Sequence, residues 1–192
     1  MSDVVNVAIL GATGYGAGEL LRLLVQHPAA KVVALTSQSR VGATVADVHP
    51  HLRGFYDVTL ADEIDYDRLL DAPQAAVFSA LPHGASSKKL VEIKAEIDKR
   101  GAAERTVLID LSGDLRLRDE GLHARYYAES PALPELRKAF VYGLPELHRA
   151  ELRGARYVAN PGCLASASIL TLAPIAHMLS GLVAIDAKTG SS

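Results

Sequence analysis

The stretch that decides the fold lies near the start of the chain and reads Val4-Val5-Asn6-Val7-Ala8-Ile9-Leu10-Gly11-Ala12-Thr13-Gly14-Tyr15-Gly16-Ala17-Gly18. Residues 4–10 are almost wholly apolar, which is typical of a parallel strand that is buried on both faces. The spacing of the leucines in residues 19–25 predicts a helix, and residues 31–36 predict a second strand. A strand, a helix and a strand in this order predict an α/β protein with a doubly wound parallel sheet.

The glycine-rich turn between the first strand and the helix predicts a dinucleotide site of the Rossmann type. Gly11 and Gly14 permit a tight turn and a close backbone approach, and the start of the following helix attracts a pyrophosphate. Glycine-rich turns after strands are common, so the flanking strand and helix carry the prediction. A buried strand over residues 75–81 points to the same edge of the sheet. The predicted cofactor-binding residues at these two strand ends are Gly11, Thr13, Gly14, Tyr15, Gly16, Leu81 and Pro82.

The end of the second strand indicates which dinucleotide binds. NAD-binding proteins usually place an acid there to hold a ribose hydroxyl, whereas this chain has Ser37, Ser39 and Arg40 and no acid. A guanidinium and two hydroxyls suit a 2′-phosphate. A solvated polar loop is the alternative interpretation. We predict NADP(H) as the cofactor.

Composition limits the classes of function. The 192 residues are 49% hydrophobic and 22% charged, with a formal net charge of −2, so the charge pattern predicts neither nucleic acid nor membrane as a partner. The N-terminus lacks the basic region of a signal peptide, and the chain has one cysteine, which together predict a reducing, cytoplasmic location. His49 and His51 invite a metal interpretation, but no third ligand is near, so we predict a structural loop and no metal site.

The single cysteine stands where a predicted strand gives way to a predicted helix. The stretch is Tyr157-Val158-Ala159-Asn160-Pro161-Gly162-Cys163-Leu164-Ala165-Ser166. A helix start has unpaired backbone N–H groups that stabilise a thiolate. A lone cysteine is otherwise often a small buried hydrophobe. The strand-turn-helix setting favours Cys163 as a nucleophile.

Charged residues also follow the strand predicted over residues 106–111. Asp110, Asp114 and Arg116 concentrate charge at its carboxyl end, and Ser112 lies among them. Arg116 either binds the anionic end of a substrate, with Ser112 donating a hydrogen bond to it, or pairs locally with Asp114. The sequence leaves both interpretations open.

Several of these motifs together resemble the N-acetyl-γ-glutamyl-phosphate reductase family of the aspartate-semialdehyde dehydrogenase superfamily. The matching segments are Gly11 to Tyr15 with Glu19 to Leu24, His49 to Gly54, Ala80 to Gly84, Asp110 to Ser112 with Asp114 and Arg116, Tyr142 to Leu147, and Asn160 to Cys163. They follow the order of the family over nearly the whole chain. Departures from the family pattern are small: Gly113 stands where alanine is usual, and Leu164 where an aromatic residue often follows the cysteine.

The resemblance implies an enzyme of arginine biosynthesis. It implies that Cys163 forms a thioester with an acyl phosphate, which NADPH reduces to the semialdehyde. By the same resemblance Asn160, Ser112 and Arg116 bind the small-molecule substrate. It implies an NADP-binding domain over residues 1–162, and over 163–192 the nucleophile helix and first strand of a truncated α+β catalytic and dimerisation domain, with residues 183–188 as that strand. The family's acid–base histidine lies beyond this segment, so we expect the 192-residue chain alone to be inactive, and a homo-oligomer when the second domain is present.

Two other functions remain open. A related reductase of lysine biosynthesis acts on a carrier-bound aminoadipyl phosphate, but it usually departs from Asn-Pro-Gly before the cysteine, which disfavours it here. The chain is alternatively a cofactor-binding module without turnover. Full activity of the 192-residue chain would instead indicate that His83 is the base.

Overall fold

The computed structural model describes residues 4–190 of the chain. In that range the strands are β1 (Val5–Leu10), β2 (Ala30–Thr36), β3 (Leu60–Ala61), β4 (Gln74–Ser79), β5 (Thr106–Asp110), β6 (Val141–Tyr142) and β7 (Tyr157–Ala159). The helices are α1 (Tyr15–Leu24), α2 (Val45–Val48), α3 (Tyr66–Leu69), α4 (Ser86–Lys99), α5 (Glu120–Tyr126), α6 (Pro134–Ala139), α7 (Pro145–Leu152) and α8 (Cys163–Leu172). Short 3₁₀ helices cover Pro50–Leu52, Ala103–Arg105 and Ala173–Met178. None of these helices is long and apolar enough to cross a membrane.

The strands form one parallel sheet in the order β3-β2-β1-β4-β5-β7-β6. From β1 the chain moves outward to β2 and β3, and then returns past β1 to β4 and β5 on the other side. This confirms the doubly wound parallel sheet. The reversal places a crevice at the carboxyl ends of β1 and β4, which is where ligands bind in such sheets.

Both faces of the sheet are covered, which explains the apolar run of β1. Ala8 and Leu10 pack with Leu90 and Ile93 of α4 on one face. Val7 and Ile9 pack with Leu21 of α1 and other residues on the opposite face. The one polar residue of the strand, Asn6, is 5% exposed and donates from Nδ2 to the carbonyl oxygen of Arg68 at 3.0 Å. A buried amide with a partner of this kind costs little stability.

The structure confirms the predicted strands and helices of the first half of the chain but moves some boundaries, and the strand predicted over residues 75–81 spans Gln74–Ser79. Helix α1 begins at Tyr15 rather than at residue 19, because Gly14 takes the extended conformation of an N-cap residue. Glycines carry no periodic apolar side chain, so the first turn of this helix leaves no signal in the sequence. Residues 117–140 contain the short helices α5 and α6.

Residues 183–188, predicted as a strand that lacks a pairing partner in this segment, form no strand in the described chain. The structure has neither helix nor strand from residue 179 to residue 190. Residues 183–188 run beside α8 and line a shallow groove with Leu164, Thr171 and other side chains of that helix. A strand is stable only when its backbone groups pair with a neighbouring strand, and the described chain offers none at this place.

The backbone of Gly11, in the turn after β1, lies very close to the backbone of Ala80, just after β4. Its φ is +71°, and a Cβ at this position would lie 2.8 Å from the carbonyl oxygen of Ala80. Gly11→Ala should therefore lower the free energy of unfolding by ~1–3 kcal/mol, from backbone strain and from separation of the two strand ends. Urea unfolding of the purified chain measures this change.

Gly16→Ala is the matched control for Gly11→Ala. Nothing lies within 4 Å of a Cβ built on Gly16, and the residue is helical. Alanine is preferred to glycine in helices by up to ~1 kcal/mol, so this variant should be neutral or more stable. Equal losses in the two variants would contradict the argument from the close approach at Gly11.

Candidate active site

A cleft of about 690 Å³ lies at the carboxyl ends of β1 and β4. The loops after β1, β2, β3 and β4 form it, together with the first turns of α4. Its lining residues are Leu10, Gly11, Thr13, Gly14, Thr36, Ser37, Gln38, Ser39, Asp62, Ala80, Leu81, Pro82, Ala85, Lys88, Lys89 and Glu92. The position is the one that the strand order predicts for a nucleotide.

Most of the predicted cofactor-binding residues line this cleft. They are Gly11, Thr13, Gly14, Ser37, Ser39, Leu81 and Pro82. Tyr15, Gly16 and Arg40 do not line it, although they are near it in sequence and exposed. The hydroxyls of Ser37 and Ser39 lie 3.4 Å apart, so both reach the same part of the cleft.

Several lining residues carried no signal in the sequence. Asp62 follows the two-residue strand β3, and Lys88, Lys89 and Glu92 belong to α4. Lys89 pairs with Glu63 and with Glu92, at 3.2 and 3.0 Å. Lys88 forms no such pair within residues 4–190, and its ammonium group is therefore available to an anion. The tertiary packing of α4 and of the loop after β3 brings these side chains to the cleft.

A buried carboxylate, Asp114, holds the start of α4. The N-cap residue of that helix is Ala85, which has no side chain that can accept a hydrogen bond. Asp114 replaces the missing cap: its carboxylate accepts from the N–H of Gly84 at 2.9 Å and from that of Ser87 at 3.1 Å. Ser130 Oγ donates to it at 2.6 Å. The loop after β5 is thereby fastened to the loop after β4.

The pKa values of Asp110 and Asp114 are shifted in opposite directions. Burial raises the pKa of Asp110, although Ser86 Oγ and the N–H and hydroxyl of Ser112 donate to its carboxylate. Burial also raises the pKa of Asp114, but the donors from Ser130, Gly84 and Ser87 outweigh it, and the net pKa is lowered. Two neighbouring carboxyl groups therefore differ in their affinity for a proton.

Ser112 belongs to this buried network. Its Oγ donates to Asp110 at 2.8 Å and accepts from the N–H of Asp114 at 3.2 Å, and the residue is 4% exposed. The structure therefore does not present its hydroxyl to the cleft or to Cys163. The sequence had no means of showing this, because the same hydroxyl was equally suited to a substrate.

Arg116 joins the loop after β5 to the loop that carries the cysteine. Its Nε donates to the carbonyl oxygen of Asn160 at 2.7 Å, and its Nη2 donates to that of Leu111 at 2.9 Å. The local ion pair with Asp114, one of the two interpretations of the sequence, is not formed in the described chain, because Asp114 is occupied by its own donors. The guanidinium lies close to Gly162, where a Cβ would be 3.0 Å from Nη1.

Cys163 is the first residue of α8 and is exposed. Gly162 is the N-cap residue, and the first hydrogen bond of the helix runs from Ser166 N to the Gly162 carbonyl oxygen at 2.9 Å. The N–H groups before Ser166 are therefore free of intrahelical partners. Asn160, Arg116 and Cys163 are brought together at the end of β7, outside the lining of the nucleotide cleft.

Two histidines near the loops at this edge of the sheet, His83 and His49, bond to different backbone groups. Gly113 N donates to Nδ1 of His83 at 2.7 Å, so the neutral ring of His83 carries its proton on Nε2, and the side chain is 57% exposed. His49 is buried and contacts the carbonyl oxygen of Ala12. Within residues 4–190 no three side chains of His, Cys, Asp or Glu could hold a metal ion.

Comparison with known proteins gives a family match over most of the chain. Residues 6–155 match the family described as semialdehyde dehydrogenase, NAD binding domain. The chain is 42% identical over 194 residues to an N-acetyl-gamma-glutamyl-phosphate reductase of Desulforudis audaxviator, covering 98% of this chain and 53% of that protein. It is 45% identical over 191 residues to a putative LysW-L-2-aminoadipate/LysW-L-glutamate phosphate reductase of Pyrobaculum calidifontis, covering 97% and 51%.

A solved structure with the same fold is an aspartate semialdehyde dehydrogenase with NADP from Candida albicans. The TM-score is 0.51 at 17% identity, over 91% of this chain and 47% of that one. At that identity the likeness concerns the fold alone. The chain spans about half the length of the curated relatives it matches.

The cap that Asp114 provides gives a test of the buried network. Asp114→Asn puts an amide where the carboxylate accepts from Gly84, Ser87 and Ser130, and we expect it to lower the free energy of unfolding at pH 7 by ~2–3 kcal/mol. Because the folded pKa of Asp114 is lowered, the advantage of the wild type is complete above the pKa of an unfolded aspartate, ~3.9. It is lost as the pH falls through the folded pKa. Urea unfolding of both proteins between pH 7 and pH 3 measures the difference.

The control for Asp114→Asn is Asp57→Asn. Asp57 is exposed, and its replacement should change stability by no more than ~0.5 kcal/mol at any pH. A loss in Asp114→Asn that stays the same down to pH 3 would show that the carboxylate charge is not the cause.

Proposed function

We propose a function from the premise that the chain belongs to the semialdehyde dehydrogenase family through its NAD-binding domain. The chain binds NADP(H) in the cleft and carries the nucleophile of an acyl-phosphate reductase. The observation that carries the proposal is the exposed Cys163 at the first position of α8. It is the only cysteine of the chain. The nucleotide cleft and the cysteine loop both follow strands at the carboxyl edge of one parallel sheet.

The residues of the cleft fit a nicotinamide dinucleotide. Gly11 leaves room for a close backbone approach, and the N-terminus of α1 favours a pyrophosphate. Ser37 and Ser39 offer hydroxyls, and Lys88 offers a cation that no carboxylate pairs within the described chain. When bound, NADPH supplies the hydride for reduction of the acyl group.

We assign a preference for NADP(H) over NAD(H) to Ser37, Ser39, Lys88 and Arg40. Lys88 lines the cleft, whereas Arg40 does not, and its side chain would have to turn towards the cleft to meet a 2′-phosphate. Asp62 also lines the cleft, and its carboxylate would repel a 2′-phosphate placed against it. We therefore propose that Asp62 accepts from the adenine amino group or from a ribose hydroxyl instead.

The residues around Cys163 suit attack on an acyl phosphate. The thiolate forms a carbon–sulfur bond with the acyl carbon, the carbon–oxygen bond to the phosphate breaks, and inorganic phosphate leaves with its electron pair. The oxyanion that forms on the acyl oxygen can accept from the free N–H groups at the start of α8 and from the amide of Asn160. Arg116 keeps this loop in place through the carbonyl oxygen of Asn160. Ser112 supports the loop after β5 through its hydrogen bond to Asp110 and does not contact the substrate.

The substrate that we propose is N-acetyl-γ-glutamyl phosphate, which places the reaction in arginine biosynthesis. The support is the Asn160-Pro161-Gly162 sequence before the cysteine. Relatives named as reductases of LysW-bound aminoadipate or glutamate phosphate are equally similar, at 40–45% identity, and they favour a carrier-bound acyl phosphate as the second candidate. Comparison of the free and the carrier-bound acyl phosphate in the acylation experiment below distinguishes the two.

We also propose that residues 1–162 form the nucleotide-binding unit and that residues 163–192 begin a second one. None of residues 163–190 is buried, although α8 has no charged residue and only three polar ones among its ten, and helices this apolar are normally covered. The relatives are about twice as long as this chain. Complete turnover, including the proton transfers of the reduction, would then need residues from the second unit, and we expect at most a trace of it in the 192-residue chain.

The cofactor preference is tested by removing the two cations. Lys88→Ala should weaken NADPH binding by about tenfold, as for a lost charged hydrogen bond, and Arg40→Ala should weaken it less because Arg40 does not line the cleft. NADH binding should be nearly unchanged in both. Lys31→Ala, at the opposite end of β2, is the control and should leave both affinities unaltered. Calorimetric titration that finds equal losses for NADPH and NADH would contradict the NADP preference.

The role of Cys163 is tested by its acylation. Incubation of the 192-residue chain with N-acetyl-γ-glutamyl phosphate should add one N-acetylglutamyl group that hydroxylamine removes, because thioesters react with hydroxylamine and acyl-lysines do not. Intact-mass measurement detects the group. Cys163→Ser should show no hydroxylamine-sensitive mass and should bind NADPH as the wild type does. A sensitive adduct that persists in Cys163→Ser would exclude this cysteine as the nucleophile.

A further inference from the structure

His49 lies beneath the glycine-rich turn that follows β1. The residue is 8% exposed, and its Nε2 is 2.8 Å from the carbonyl oxygen of Ala12, which is 37 residues away in the chain. A carbonyl oxygen can only accept a hydrogen bond, so Nε2 carries the proton and donates it. This contact links the loop after α2 to the turn that lines the cleft.

The first turns of α1 leave space for the imidazole. A Cβ on Gly18 would lie 2.8 Å from both Cε1 and Nδ1 of the ring, so a larger residue there would displace the ring. The backbone of His49 is held from both sides: its N–H donates to the Val45 carbonyl oxygen at 2.7 Å, and its own carbonyl oxygen accepts from Leu52 at 2.9 Å. The side chain therefore has one position, set by the helix on one side and by the loop on the other.

The geometry of the peptide bond gives the contact a consequence at the cleft. Ala12 C=O and Thr13 N–H belong to one planar trans peptide, and in such a peptide they point in opposite directions. When His49 draws the carbonyl oxygen towards itself, the Thr13 N–H is turned away from His49. Thr13 lines the cleft and His49 does not. Among residues 4–190, no acceptor bonds to the Thr13 N–H.

We infer that His49 is a positioning residue for the dinucleotide: it orients the Thr13 N–H as a donor to the pyrophosphate. It acts through the Ala12 carbonyl and does not touch the ligand. The inference rests on the proposed binding of a dinucleotide in this cleft. A second contact, from Ala12 N to the Thr36 carbonyl oxygen at 2.9 Å, holds the other side of Ala12, so that the peptide has little freedom to rotate once His49 is in place.

The role predicts selectivity among ligands. Only molecules that bring a phosphate to the glycine-rich turn should depend on His49. ADP carries the pyrophosphate, whereas adenosine 2′-monophosphate binds at the other end of the cleft, beside Ser37 and Ser39. A role confined to the stability of the loop would affect both ligands alike.

The experiment compares three variants of the 192-residue chain by calorimetric titration with NADPH, ADP and adenosine 2′-monophosphate. His49→Leu removes the donor and should weaken NADPH and ADP by about tenfold, with adenosine 2′-monophosphate changed less than about twofold. His49→Gln keeps an N–H donor at a similar distance and should recover most of the affinity. His177→Leu is the control, because His177 is exposed and lies outside the cleft lining, and it should bind all three ligands as the wild type does.

Gly18→Ala provides a variant that leaves the histidine in the chain. The added methyl group would displace the ring from the Ala12 carbonyl, so the same selective loss for NADPH and ADP is expected. Thermal unfolding of each variant separates loss of fold from loss of binding. Equal losses for all three ligands, or no loss in His49→Leu, would overturn the inference.

The outcomes also separate the inference from the proposed function. If the wild type bound neither NADPH nor ADP, this result would contradict the dinucleotide site itself, and the role of His49 with it. Binding of ADP without binding of adenosine 2′-monophosphate would contradict only the NADP preference. In that case the losses for ADP in His49→Leu, and their recovery in His49→Gln, still decide the role of His49.

Discussion

The close approach between Gly11 and the carbonyl of Ala80 is the constraint on which the candidate site depends. It occurs where the strand order reverses, so the turn after β1 and the loop after β4 face each other across one crevice. Ala80 N donates to the Leu10 carbonyl oxygen at 3.0 Å, which extends the pairing of the two strands to this point. Because parallel strands end on the same edge of a sheet, the loops after β2 and β3 lie at this crevice as well and complete the cleft.

A single buried carboxylate then connects this cleft to the chain that follows. Asp114 caps α4 from the loop after β5, so the helix that contributes Lys88 to the cleft is held by a residue from outside it. Its neighbour Asp110 is also buried and also has three donor groups, but there the effect of burial outweighs the donors, whereas at Asp114 the donors outweigh burial. This is why the pKa values of the two groups move apart. The N–H groups of a helix start favour a negative charge, and Asp114 is the one that meets them.

The cysteine loop is attached to the same structure through Arg116. The guanidinium bonds to carbonyl oxygens on both loops and leaves other N–H donors of its fork unused. It therefore fixes the separation between the end of β5 and the start of α8, while a part of its charge remains exposed. In the proposed reaction this makes Arg116 a support for the loop first, and a contact for an anionic substrate only through the remaining donors.

The sequence by itself determined the doubly wound sheet, the glycine-rich turn and the place of Cys163 at a helix start, because apolar periodicity and turn residues act within a few positions of one another. It did not determine which polar side chains meet. Only the tertiary structure decided that Ser112 bonds to Asp110, that Lys88 rather than Arg40 lines the cleft, that His49 reaches Ala12, and that residues 183–188 form no strand. The physical reason is that a hydrogen-bond donor can pair with any suitable acceptor. The packing of distant elements selects which acceptor is within reach.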